Sequence, residues 1–135
     1  MATDDETATE LLRESDAAFA AGDADRFAAL FTEDARLLLL HREPIEGRTA
    51  IHDYWDGFFG RFDASEWEPH RDIVEVHGER AHAFGTYTER LRNREDGSGR
   101  LVRGRLIHFL RHEADGIWRI SLLMNSHSHP MEPLP

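Results

Sequence analysis

The sequence predicts an α+β fold in which helices cover one face of a curved, mostly antiparallel sheet. Two observations predict it. In the first part of the chain, apolar residues recur at helical spacing. In the second part, apolar and polar residues alternate along segments that are separated by short polar turns. The 135 residues suit one domain spanning 1–135, with no internal repeat or linker. We expect residues 1–7 and 128–135 to be flexible or surface tails.

Three helical segments are predicted. Residues 8–21 place apolar side chains three and four positions apart, which is typical of a helix with one buried face. Asp23 is a suitable N-cap for a short second helix. A third helix is predicted over residues 48–61, after a turn marked by Pro44 and Gly47.

Five strands are predicted. The first lies between the second and third helices, and the other four form a meander joined by polar turns that contain glycine. Their expected ranges are 35–42, 67–77, 80–92, 101–112 and 118–127.

The composition excludes several classes of function. There is no cysteine, so disulfides, thiolate chemistry and cysteine-ligated zinc are excluded. The formal charge is −10, and an acidic surface repels phosphate backbones, so we expect no nucleic-acid partner. An apolar run such as residues 37–40 is far too short to span a membrane, and we expect the acidic start MATDDETATE not to be a signal peptide. We expect a cytoplasmic protein without membrane association.

The order of several segments resembles a known family. These segments are AAGDADRFAALFTEDA, PIEGRTAI with the following Trp55, GERAHAFGTYT and ADGIWRI. Together they resemble a SnoaL-like domain of the nuclear transport factor 2-like superfamily, which includes ketosteroid isomerase-like proteins. The resemblance covers residues 11–126. It implies a cone-shaped barrel whose sheet wraps around three N-terminal helices, a mouth that holds a small hydrophobic molecule, and a homodimer formed through the outer sheet face.

The resemblance also implies a reaction without a cofactor, such as isomerisation, cyclisation or dehydration of a hydrophobic carbonyl compound. In ketosteroid isomerase-like relatives, a carboxylate on the first strand moves a proton beside a carbonyl. Counting from Asp34 and Ala35, its position in this chain is Leu39. Any proton transfer must therefore use other residues.

Strand alternation selects the candidate site residues. It places His41 on the same face as Leu39, Tyr87 on a face of small residues, and His108 among apolar neighbours. We predict His41, Tyr87 and His108 as catalytic residues. A buried histidine would act as general base or acid, and Tyr87 or the second histidine would stabilise an oxyanion. The predicted ligand-binding walls are Leu39, Trp55, Phe59, Leu122 and Met124.

Each candidate has a purely structural alternative. His108 can be a core histidine bonded to a backbone carbonyl, and Tyr87 can simply pack with its hydroxyl satisfied. Asp16 borders the buried face of the first helix, where dehydratase-like relatives place an aspartate, but an exposed charge is the simpler interpretation. We assign no metal, because His127 and His129 have no inward carboxylate nearby.

Three functions therefore stay open. The first is a cofactor-independent enzyme, and the second is a non-catalytic module that binds a small apolar ligand in the same pocket. The third is an interaction domain that dimerises through the outer sheet face, using a row of arginines formed by Arg103, Arg105 and Arg111.

Overall fold

Helices precede most of the sheet, as the sequence predicts. The structure is a computed structural model that describes residues 3–135. Its helices are α1 (Asp4–Ala21), α2 (Ala24–Ala28) and α3 (Arg48–Arg61). Its strands are β1 (Phe31–Leu38), β2 (Ile45–Glu46), β3 (Phe62–His77), β4 (Arg80–Asn93), β5 (Gly99–His112), β6 (Trp118–His127) and β7 (Glu132–Pro133). The predicted α+β class is confirmed.

One curved sheet contains all seven of these strands, in the order β2–β1–β6–β5–β4–β3, with β7 paired to β5. The β1–β6 pair is parallel and the other pairs are antiparallel. The sheet curves around the helices but does not close, because β2 and β3 lie at its two edges. The predicted cone is therefore open along one side.

Helix α1 begins at Asp4, within residues 1–7 that the sequence analysis predicts to be a tail. The Thr3 hydroxyl accepts a hydrogen bond from the Glu6 backbone N–H at 3.2 Å, and Asp4 and Asp5 place negative charge in the first turn. Both features stabilise a helix N-terminus. The helix ends at Gly22, whose φ of 66° is the left-handed geometry of a glycine cap.

The C-terminal segment also belongs to the sheet. Strand β7 pairs with the start of β5, and the Leu134 N–H donates to the Gly99 carbonyl at 2.9 Å. Residues 132–134 thus lie beside the start of β5, and Met131 lines the cavity described below.

Strand β1 ends earlier than predicted. It covers Phe31–Leu38, and His41 lies beyond it with a φ of 62°. A left-handed residue cannot continue an extended strand. The Leu40 N–H instead donates to the side chain of Asn125 at 3.1 Å. His41 is therefore in a turn, and its orientation does not follow from strand alternation.

A β-bulge in β6 changes which side chains face the helices. Phe109 pairs with Leu122 and the next residue of β5 pairs with Ile120, so Ser121 is an extra residue in β6. Ile120 is buried before the bulge, and Leu123 is buried after it. The predicted inward positions of Leu122 and Met124 are wrong, because the extra residue reverses the alternation.

The core lies between the helices and the concave face of the sheet. Phe19 is at its centre, with ring centroids 5.3 Å from both Trp55 and Phe59. Such edge-to-face aromatic contacts add to the free energy gained by burying the rings. Within residues 3–135, none of the helices is long and apolar enough to cross a membrane.

Candidate functional site

A cavity of about 400 Å³ lies between the helices and the concave sheet face. Its volume is typical of sites for small organic molecules. The wall is mostly aromatic and aliphatic, and it includes Phe19, Phe27, Leu39, Tyr54, Trp55, Phe58, Trp67, Leu91, Val102, Leu106 and Leu123.

The cavity contains five of the predicted site residues: Leu39, His41, Trp55, Tyr87 and His108. The other three do not line it. Phe59 is 6% exposed and packs on Phe19 in the core. Leu122 and Met124 are turned away by the bulge, and their places on the wall are taken by Leu123, Asn125 and His127.

His108 lies in the middle of β5, opposite Ala83 and Leu123, and it is 4% exposed. Burial lowers the pKa of its imidazole to about 3, and the nearby positive charge of Arg71 acts in the same direction. At neutral pH the ring is therefore uncharged. Such a ring is a weak proton acceptor but can still form hydrogen bonds to a ligand.

An ion pair joins α1 to β3 at the cavity wall. The Arg71 guanidinium donates through Nη1 and Nη2 to the two carboxylate oxygens of Asp16, at 2.6 and 2.8 Å. Both side chains are largely covered. The simpler interpretation of Asp16 as an exposed charge is therefore wrong. The sequence does not reveal the pair, because its members are 55 positions apart and belong to different elements.

Tyr87 is held in place by its neighbours. The Asn125 amide donates to the Tyr87 hydroxyl at 3.4 Å, and the Trp67 ring lies 4.7 Å from the Tyr87 ring. Gly104 leaves room for the tyrosine, because a Cβ there would lie 2.6 Å from its ring. Burial raises the pKa of Tyr87 to about 12, so the phenol stays protonated and can donate to a ligand.

Glu89 lines the cavity and is absent from the site that the sequence predicts. It occupies the next inward position of β4 after Tyr87, opposite Trp67 on β3 and Val102 on β5. Its side chain is buried, and its Oε2 atom has no hydrogen-bond partner among residues 3–135. Burial raises the pKa of this carboxyl to about 7. Strand alternation selected Tyr87, and the same alternation continued by two residues along β4 identifies Glu89.

The mouth of the cavity is more polar and more exposed. His41 and Arg42 are exposed there, and the Arg42 guanidinium lies 4.5 Å from the Tyr54 ring centroid. His127 is nearby, and its pKa is lowered by burial and by the positive charge that His41 can carry. His41 thus contributes to the entrance rather than to the buried part of the site.

Comparison with known proteins identifies the family. The fold is similar to that of solved structures described as nuclear transport factor 2-like. Residues 12–120 match the sequence model of the SnoaL-like domain, which covers most of the chain. The chain therefore belongs to the SnoaL-like family. A search of curated proteins found no significant match.

Several solved structures share this fold. A ketosteroid isomerase-like protein from Erwinia carotovora atroseptica has a TM-score of 0.85 and 18% identity, covering 95% of this chain and 100% of that one. A nuclear transport factor 2-like superfamily protein from Salmonella enterica has a TM-score of 0.80 and 17% identity, covering 93% and 92%. A protein with a cystatin-like fold from Novosphingobium aromaticivorans has a TM-score of 0.73 and 19% identity, covering 91% and 80%. At these identities the likeness establishes the fold alone.

Proposed function

We propose that this protein binds a hydrophobic small molecule with a carbonyl group and catalyses a proton transfer on it without a cofactor. The reaction class is isomerisation, cyclisation or dehydration. The observation that carries this proposal is Glu89, a buried carboxyl at the cavity wall whose Oε2 atom has no partner among residues 3–135.

Glu89 suits proton transfer near neutral pH. A general base is most effective when its pKa lies near the working pH, and burial raises the pKa of Glu89 to about 7. The sequence favoured histidine for this role. With a pKa lowered to about 3, His108 is a weaker base, so we assign it to hydrogen bonding with the ligand.

In this proposal Tyr87 acts together with Glu89. The two residues are successive inward positions of β4, so their Cα atoms are about 7 Å apart. Glu89 would take a proton from the carbon beside the carbonyl and return it to another atom of the ligand. The Tyr87 hydroxyl, held by Asn125, would donate to the carbonyl oxygen as negative charge develops there.

A proton-exchange experiment tests this proposal. A panel of cyclic and aryl ketones is incubated with the protein in D₂O, and loss of the proton beside the carbonyl is followed by NMR. We expect exchange by the wild type and a loss of about 10²-fold or more in Glu89→Gln, the usual contribution of a general acid or base. Glu68→Gln is the control, because it makes the same change at an exposed position of the adjacent strand. Full exchange activity in Glu89→Gln would contradict the proposal.

A non-catalytic binding module is the second candidate. The predominance of apolar side chains on the wall favours it, since such a wall binds a ligand without any chemistry. In that case Glu89 would serve only as a hydrogen-bonding group. Mass spectrometry of a ligand that co-purifies distinguishes the two. Recovery of the same compound after long incubation with wild type and with Glu89→Gln would favour the binding module.

We also infer that two chains form a homodimer through the outer sheet face. Ile73, Phe84 and Phe109 are large apolar side chains that are 38–45% exposed. Register places Ile73 beside Phe84 on neighbouring strands. The predicted arginine row is less suited to this role, because Arg111 bonds to Asp34 and Arg103 to Glu132, both at 3.0 Å.

A further inference from the structure

Two histidines and one glutamate form a cluster outside the cavity, near the tip of the β3–β4 hairpin. Glu75, His77 and His82 each offer one ligand atom, and these atoms lie within 4.8 Å of one another. We propose that this cluster is a binding site for a divalent transition-metal ion of the Zn²⁺ class. The sequence analysis assigns no metal, and alternation along one strand does not show that Glu75 lies across from His82.

Strand register brings the three side chains together. Glu75 pairs directly with His82 on β4, and His77 is two residues beyond Glu75 on the same face of β3. Ala81 and Ala83, on either side of His82, are buried. The three side chains therefore lie on the outer face of the sheet, and none of them lines the cavity.

The distances within the cluster match those of a metal site. The Glu75 Oε2 atom is 3.4 Å from the Nε2 atom of His77 and 3.3 Å from that of His82. In a tetrahedral site with bonds of about 2.0–2.1 Å, two ligand atoms are about 3.3–3.4 Å apart. Two of the three separations are already suitable. A small rotation of the exposed His77 side chain would shorten the third.

Packing holds the imidazole of His82 in position. Its ring lies between the ring of His77, at 5.4 Å and an angle of 22°, and the ring of Phe84, at 5.2 Å. The side chain is 24% exposed, against 65% for His77. A ring held in this way loses less rotamer freedom when it binds an ion.

The donor set indicates the class of ion. Two imidazole nitrogens and one carboxylate oxygen suit Zn²⁺, Ni²⁺ and Co²⁺ better than the oxygen-seeking Ca²⁺ or Mg²⁺. The formal charge of −10 also favours a cation. Three protein ligands leave at least one coordination position open to water. A bound ion would link the edge strand β3 to β4 and would stabilise the folded chain.

Calorimetric titration of the tag-free protein with ZnCl₂ tests the site. We expect one ion per chain. Both His82→Ala and Glu75→Gln should weaken binding by more than the 10- to 100-fold that is usual for loss of an outer partner of a metal ligand. The matched control is His70→Ala, on the same strand: its ring is exposed and lies 3.3 Å from Asp72. This control should bind Zn²⁺ like the wild type.

Cobalt spectroscopy gives an independent readout. Co²⁺ should produce the strong visible absorption of a low-symmetry site in wild type and in His70→Ala, and lose it in His82→Ala. Circular dichroism checks that each variant folds. The proposal is overturned if no ion binds at one per chain, if His82→Ala and Glu75→Gln bind normally, or if His129→Ala removes binding. Ketone exchange should be the same in His82→Ala as in wild type, so this test is separate from that of the proposed function.

Discussion

At the scale of single residues, the buried carboxyl of Glu89 makes the free energy of unfolding depend on pH. Its folded-state pKa, about 7, lies above the ordinary 4.5. The unfolded chain therefore ionises first as the pH rises. Between pH 4.5 and 7 this difference progressively lowers the free energy of unfolding, and above pH 7 the loss is complete.

Glu89→Gln should remove this pH-dependent loss, because glutamine is neutral and similar in shape. We expect equal stability of variant and wild type near pH 4.5. Above pH 7 the variant should be more stable by up to about 3 kcal/mol, which corresponds to the difference between a pKa of about 7 and one of 4.5. Urea unfolding at pH 5 and pH 8 measures this. A difference that does not change with pH would show that folding does not raise the pKa of this carboxyl.

His41 shows how one backbone angle determines the place of a side chain. Its φ of 62° is costly for a residue with a branched Cβ. We expect His41→Val to lower the free energy of unfolding by about 1–2 kcal/mol and His41→Gly to leave it nearly unchanged. Urea unfolding of both variants is the measurement. Equal effects of valine and glycine would contradict a left-handed turn at this position.

At the scale of elements, the ion pair between Asp16 and Arg71 fastens α1 to β3. Asp16→Asn leaves a largely covered guanidinium without its charged partner, at a cost of about 1.5–3 kcal/mol. Adding Arg71→Met should recover part of that loss, because the uncompensated charge is removed. Thermal unfolding of the wild type, the two single variants and the double variant gives a double-mutant cycle, which measures the interaction between the two side chains. Strictly additive effects would indicate that the two side chains do not interact.

The elements themselves could largely be predicted, and the site only in part. Helix α3 and strand β6 have the predicted bounds, because helical spacing and alternation are local properties of the sequence. The wall at Leu122 and Met124 could not be predicted, because a bulge depends on how β5 and β6 pair. The contact between Asp16 and Arg71 depends in the same way on how α1 packs against the sheet.

At the scale of the whole molecule, the proposed homodimer depends on the outer sheet face. Phe109→Glu places a charge among the exposed apolar side chains, so we expect the proposed dimer to dissociate. Sedimentation velocity over a range of concentrations measures this. Ile117→Glu is the control, because Ile117 is equally exposed but lies in the turn before β6. A wild type that is monomeric at all concentrations would refute the dimer.

The bulge at Ser121 makes the chemical character of the cavity depend on strand pairing. If β6 kept all its residues but paired with β5 without a bulge, regular alternation from Ile120 onward would direct Leu122 and Met124 toward the cavity and turn Asn125 and His127 outward. The Tyr87 hydroxyl would then lose its amide partner, although no side chain of the site had been replaced. The side chains that line this wall of the cavity are therefore selected by how β6 pairs with β5, and the order of residues along β6 does not determine them alone.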